Sequence, residues 1–412
     1  KAAVLGKDTL AAIREDMSKL EIPSWMDAAP NRPGEKSRGS FTADQWRTFC
    51  TINLPITLVR LWGSLPQDER KYTVLVNFMH LVTAVRLANM RVMSEARIIS
   101  YEYHMRTYLE ALVGYQREEP LYPHTKLTTY QHMSLHFGNL LRRFGPPHSW
   151  RCFAFERFNY ILRKFPTNSK FGELEKTMFT HFCMMQKLRS RLHDPHSSPE
   201  FEELSNIYRN TFEETNARGS CGIDALSFDD YSVFATSVPQ RLSRNVCSQL
   251  QTWINASHFP GSAPVLVHNH AGVIQRGVTF SPKDHSKANA RVVFQTTGTE
   301  EWSAGSIKSI FTAKWTSSGQ GVVKTFAEIN SYIPLTDSDA VHDHFRAFGF
   351  AAGRLFYDRL GEDTFLIPLD RVASHFGYTP WTASCINCEV MHALPFSKAS
   401  NFSTTECTPT MY

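Results

Sequence analysis

The chain has no run of apolar residues long enough to cross a bilayer. Its most apolar window, Val74 to Ala88, is interrupted by Asn77, His80 and Arg86, whereas a spanning helix needs about 20 apolar residues. No membrane partner is therefore expected. The N-terminus lacks the basic, apolar and small-residue succession of a secretory signal. Cysteine is sparse: eight among 412 residues, at Cys50, Cys152, Cys183, Cys221, Cys247, Cys385, Cys388 and Cys407. That scatter is no disulfide framework, so the expected compartment is reducing: the nucleus, or the cytoplasm, and not the secretory route. The sequons at Asn255 and Asn401 then carry no glycan expectation. There is no Gly-rich phosphate loop, no Gly-x-Ser-x-Gly elbow and no dinucleotide fingerprint. There is also no repeat of fixed period.

What is present is ordinary globular material, 42% hydrophobic and 20% charged, enough for two or three domains at roughly 100–200 residues each. The opening residues already read as helix interior, with Leu10, Ile13, Met17 and Leu20 on one stripe. This start suggests further sequence upstream. Thr42 has the character of a helix cap for a helix to about Trp62, with a kink or break near Asn53 because of Pro55. A nearly all-apolar helix over about 68–90 carries one narrow polar stripe, Thr73, Asn77, His80, Thr83 and Arg86, as a buried helix does. Ser94 caps another. One helix is expected over 128–144, and two more over 156–164 and 172–193. No strand alternation is visible before residue 258. After about residue 263 the period falls to two: Ile307 to Trp315 alternates, a turn follows at Ser317–Gly321, and Val322 to Ile333 reads as its partner. Leu355–Tyr357 and Phe365–Ile367 read as two further short strands.

The expected fold class is α+β: an N-terminal α-helical domain followed by a small antiparallel β-barrel or sandwich. The expected boundaries are 1–39 for a helix and linker, 40–195 for the helical domain and 196–258 for an acidic, loop-rich connector with short helices. A small β-rich domain over 259–395 and a disordered tail over 396–412 complete the chain.

Net charge is only +5, but the stretch from Arg142 to Arg191 holds eleven Lys or Arg against three Glu, an excess of eight. Arg142, Arg143, Arg151 and Arg157 are interleaved with Phe144, Trp150, Phe153, Phe155, Phe158 and Tyr160. Guanidinium groups hold phosphates and aromatic rings stack on bases. The plainer reading is an aromatic core beneath a solvated charged face, and the residues alone leave both open. His132 and His136 share a helix face, but no Glu follows the first, so a structural role is favoured over metal binding. Cys385 and Cys388 with His392 form half a zinc pattern at most; free thiols are favoured and no metal site is expected. Glu156, flanked by aromatics and beside Arg157, needs a partner if it is buried in its charged form.

Several segments resemble CACTA (En/Spm-type) transposase-like proteins of basidiomycete fungi. These are Lys7-Asp8-Thr9-Leu10, Pro23-Ser24-Trp25 and Ala43-Asp44-Gln45-Trp46-Arg47. The match is densest at Leu121-Tyr122-Pro123-His124, His132 with His136, Arg143-Phe144-Gly145-Pro146, Phe155-Glu156-Arg157 and Gly172-Glu173-Leu174-Glu175. Ala304-Gly305-Ser306-Ile307 and Arg354-Leu355-Phe356-Tyr357 resemble the β-rich domain that closes such proteins. The pattern departs at Pro147 and around Cys152 to Ala154. The resemblance implies the accessory region of a cut-and-paste DNA transposase. Its RNase H-like catalytic domain, upstream of this chain, would use Mg2+ or Mn2+ for phosphodiester transfer. This chain by itself implies no cofactor and no complete enzyme. Implied partners are DNA at element ends, the upstream catalytic domain of the same polypeptide and a second copy. Arg142, Arg143, Arg151, Arg157, Arg163, Lys164 and Lys170 are the expected DNA contacts, and Glu156 the expected last catalytic carboxylate. The competing reading is a decayed or co-opted scaffold protein without DNA chemistry.

Overall fold

A computed structural model describes residues 5–26, 28–31, 33, 41–114, 121–122, 126–150, 172–192, 231–275, 278–295, 302–383 and 385–396, with positions 152, 159, 162–163, 170 and 204. It is mixed helix and strand, helices first and an antiparallel sheet after them. By their contacts the residues form two compact units. One comprises Lys1–Ser24, Ala28–Ser149 and Asp229–Tyr412; the other comprises Trp25–Asp27 and Trp150–Phe228. This grouping differs from the boundaries at 40–195, 196–258 and 259–395, because one of the apolar clusters joins helices and sheet. Ile13, Phe49, Val59, Trp62, Leu75 and Met79 pack in the same cluster as Leu335, Phe345, Leu355, Tyr357 and Val390.

The helical part of the first unit starts with α1 (Lys7–Lys19). Its buried Asp16 takes two hydrogen bonds from Arg60, at 2.8 and 3.1 Å, which tie it to α3 (Leu54–Trp62). Between them lies α2 (Ala43–Thr48), opened by a reciprocal cap: Gln45 N–H donates to the Thr42 hydroxyl and Thr42 N–H to the Gln45 side chain. The break expected near Asn53 is a π-helical turn, Phe49–Asn53. Pro55 follows in the first turn of α3, where a missing N–H leaves no bond unmade.

The polar stripe of α4 (Arg70–Ala88) is buried too: Asn77, Thr83 and Arg86 are all enclosed. Arg86 donates to the carbonyls of Ala351 and Pro395 and lies over the Phe350 ring, so the stripe fastens the helix to the sheet side of the unit. Ser94 caps α5 (Glu95–Val113) as expected, and Gly114, with φ +74°, ends it. The single helix expected over 128–144 is two, α6 (Thr129–Ser134) and α7 (Phe137–Phe144). The Tyr101 hydroxyl donates to the Ser134 carbonyl at 2.8 Å, an oxygen that an unbroken helix would give to the N–H four residues on. In the second unit lies α8 (Leu174–Leu192).

The first strand comes earlier than expected. β1 (Tyr231–Arg241) lies inside the segment read as a connector and pairs with β2 (Leu266–Gln275). It carries Pro239 and two register shifts, the marks of an edge strand, and this broken alternation hid it. One of the short helices expected in that connector is α9 (Arg244–Ala256). It follows directly on β1, which ends at Arg241, and buries Val246, Leu250 and Ile254. β3 (Val278–Phe280), the short α10 (Lys287–Ala290), β4 (Arg291–Gln295), β5 (Trp302–Ser317) and β6 (Gln320–Pro334) follow. The two short strands expected at 355–357 and 365–367 are one long strand, β7 (Arg354–Pro368), succeeded by β8 (Ser374–Thr382) and β9 (Glu389–Phe396).

All the pairings are antiparallel, and six strands pair in a circuit, β5–β4–β8–β9–β7–β6 and back to β5. β7 changes partner along its length: Arg354–Tyr357 pair with β9, while Phe356 to Pro368 pair with β6 across two register shifts. The largely polar stretch Asp358 to Thr364, between those two expected strands, is the irregular middle of this strand. A bridge from Glu21 to Tyr378 adds the chain just after α1 to the outer edge of β8. No described helix is long and apolar enough to cross a membrane.

Candidate nucleic-acid interface

The expected DNA-contacting residues fall into three groups. Arg142 and Arg143 sit on α7 in the first unit. Arg142 is held by two carboxylates: Glu95 at 2.7 Å and Glu102 at 2.6 Å, each engaged through two guanidinium nitrogens. Arg142 thereby holds the Glu95 carboxyl below the usual carboxylate range. A guanidinium with both of its edges bonded to protein fastens α7 to α5 rather than presenting a charge to a phosphate. Arg143 is exposed and lies over the Phe144 ring.

Arg163 and Lys170 belong to the second unit, and both are exposed. Helix α8 of that unit adds Lys176, Lys187 and Arg191, all exposed. At 100° per residue these three fall within an arc of about 60° and span about 22 Å of helix. One face of α8 is therefore a cationic ridge. Glu173 and Glu175 lie at its N-terminal end, where the helix dipole favours acids, and the Arg191 end favours cations.

Arg151, Glu156, Arg157 and Lys164 lie outside the described residues. Among the described residues no group of three or more His, Cys, Asp or Glu side chains could hold a metal ion. The residues described thus supply no set that fits the Mg2+ or Mn2+ implied for a transposase, and no metal step is assigned to them.

His132 and His136 are exposed, not core residues; their Nε2 atoms stand 3.3 Å apart. Cys385 and Cys388 are exposed free thiols. His392 is turned away from any such pair: it is fully buried, its Nε2 bonded to the Ala352 carbonyl and its ring stacked on Trp381 and against Phe345.

A second concentration of positive charge escapes any window of sequence. A cavity of about 420 Å³ in the first unit is lined by Lys283, Lys287, Arg291, Ser306, Tyr332, Asp358, Arg359, Leu360 and Tyr378. These residues come from α10 and the loop before it, and from β4, β5, β6, β7 and β8. They reach one place because the circuit of strands brings its members round to a common rim, and because β7 bends at Asp358–Leu360. Arg291 is buried, stacked 3.7 Å from the Tyr378 ring centre and paired with Glu21 at 2.6 Å. The Tyr378 hydroxyl donates to Asp358 at 2.6 Å. Burial first, and then that bond to a carboxylate, push the Tyr378 phenol above its ordinary range; burial does the same to Tyr332, with Arg291 opposing it. Both rings therefore stay neutral hydrogen-bonding groups. In the sequence Lys283, Lys287 and Arg291 recur every four residues, although only Lys287 lies in a helix, α10.

Comparison of the chain with family models, curated proteins and solved structures returns no match.

Proposed function

We propose that this chain is the accessory, DNA-contacting region of a cut-and-paste DNA transposase of the CACTA type, working in the nucleus. The observation that carries the proposal is the exposed cationic face of α8, with Arg163 and Lys170 in the same unit. The resemblance at Arg143–Pro146, Phe155–Arg157 and Gly172–Glu175 lies along the same stretch of chain. A ridge about 22 Å long offers several contacts to a phosphate backbone and carries no base readout, so it positions DNA rather than selecting a sequence. In this reading the circuit of strands is a small barrel that serves as a docking module. Phosphodiester transfer belongs to the RNase H-like domain that the resemblance implies, with Glu156 as its last carboxylate.

Anisotropy titration of the full chain with a labelled duplex at several salt concentrations tests this. The wild type is expected to give log K falling against log salt by about 0.9 per phosphate contact. Replacing Lys176, Lys187 and Arg191 together by Gln is expected to weaken binding about tenfold or more and to flatten that slope by about 2–3. A flat salt dependence in the wild type, or an unchanged slope in the triple variant, removes the DNA role. The scaffold reading would then take its place; the observation favouring it is Arg142, whose charge is used to join helices.

A further inference from the structure

We propose that the cavity at the rim of the strand circuit is a binding site for a phosphomonoester, either a free nucleotide or the phosphorylated end of a nucleic-acid strand. The site lies in the other unit from the α8 ridge, and it stands or falls independently of the DNA reading.

Charge is the first argument. Lys283, Lys287, Arg291 and Arg359 face the cavity, and the carboxylates beside them are Asp358, in the lining, and Glu21, paired with Arg291. Four cations against two carboxylates leave two positive charges. A phosphomonoester carries about −1.5 to −2 at neutral pH, whereas a diester in a continuous strand carries one charge per phosphate. The cations are also available. Among the described residues Lys283, Lys287 and Arg359 have no carboxylate partner, although all three are exposed beside one another, an arrangement that costs repulsion unless an anion is present.

Shape and donors are the second argument. A volume of about 420 Å³ lies in the range of small-molecule sites, and a double helix cannot enter it. Arg291 is preorganised: Tyr378 beneath its face and Glu21 at one edge fix the guanidinium plane, so little entropy is lost when it takes an anion. Ser306, buried in β5, adds a hydroxyl with no partner among the described residues. Tyr332 and Tyr378 are buried in the apolar cluster that backs the cavity, Tyr378 with Arg291 over its ring, and the Asp358 carboxylate, which accepts from the Tyr378 hydroxyl, can accept a further hydrogen bond from a ligand hydroxyl. Cations around a phosphate and one acceptor for a hydroxyl, in a cavity of about 420 Å³, suit a phosphomonoester of nucleotide size.

Calorimetric titration of the full chain tests this with adenosine 5′-monophosphate, adenosine, inorganic phosphate, and one short oligonucleotide bearing either a 5′-phosphate or a 5′-hydroxyl. The monophosphate is expected to bind at least about tenfold more tightly than adenosine, with Lys287→Gln and Arg359→Gln each weakening it about tenfold. Both side chains are exposed and lie outside the core, so folding is expected to survive, as melting curves will check. Lys314→Gln, an exposed cation elsewhere on β5, is expected to leave binding unchanged. Tight monophosphate binding with no preference between the two oligonucleotides assigns the site to free nucleotides. Preference for the 5′-phosphorylated strand assigns it to strand ends. Equal binding of adenosine and its monophosphate, or variants with wild-type affinity, overturns the proposal.

Discussion

His375 and His392 are sealed inside the sheet region, at 1% and 0% exposure, and each has Nε2 against a backbone carbonyl, of Asn289 and Ala352 respectively. Burial pulls both down to about 4, the carbonyl bonds opposing it only in part, and His104 on α5 falls to about 4 for the same reason, with His80 adding to it. The unfolded chain takes up these protons near pH 6.5 and the folded chain does not. Stability is therefore complete above about 6.5 and declines as pH falls toward 4, by up to about 1.4 kcal/mol per pH unit for each ring. Denaturation curves from pH 7 to 4 are expected to show this, and His392→Gln to have the shallower acid limb even though it is less stable at neutral pH. Parallel limbs would mean that His392 does not titrate between the two states. For Arg142, replacement by Gln is expected to lower the melting temperature, most clearly at low salt, and to leave duplex affinity unchanged. A loss of affinity with an unchanged melt would return this residue to the DNA surface. The caps at Thr42 and Ser94 were legible in the sequence because a cap is a local affair of three or four residues. The duties of Arg86, His392 and Arg142 were not, since their partners lie from 40 to more than 300 positions away.

At the scale of elements, the beginnings of helices follow their signals. Thr42→Ala removes one half of a reciprocal cap and is expected to cost about 1 kcal/mol, read from the denaturation midpoint. A cost near zero would mean that α2 is held by its aromatic contacts alone, Phe41 and Trp46 against Phe49. Gly353 opens β7 with φ +78°, and a Cβ there would run into the Ala393 carbonyl of β9. Gly353→Ala is therefore expected to destabilise the β7–β9 pairing by more than Gly→Ala exchanges at open sites, with amide exchange rising at Val390–Ala393 first. Strands were read correctly where one face is buried and the period is two, as in β5 and β6. They were missed where a strand is bent, polar in its middle or interrupted by proline, as in β7 and β1. The cavity was hidden for a related reason. Its lining is gathered by the circuit from six segments, and no window of sequence contains more than a few of its members.

At the scale of the whole unit, one apolar cluster joins helices and sheet, beside others that lie mainly among the helices or within the sheet region. Ile13, fully enclosed, packs in the cluster that also holds Val59, Leu75, Tyr357 and Val390. Ile13→Ala is expected to cost about 2–5 kcal/mol and to lower hydrogen-exchange protection in α3 and β9 together. Loss confined to the helices would show two domains after all. The second unit, Trp150–Phe228 for the most part, interrupts the first in sequence. Ser24 meets Asn289 across 265 residues, and Arg86 meets the Pro395 carbonyl across 309. At about 5–20 residues per second of synthesis, the ribosome needs roughly 15–60 s to pass from α4 to the strand that receives Arg86. Throughout that interval the nascent helices carry a buried-type arginine and an apolar face with nothing to close them. The contacts of α4 with the sheet side therefore form only when β9 has left the ribosome, and the waiting helices are the species most open to chaperone capture.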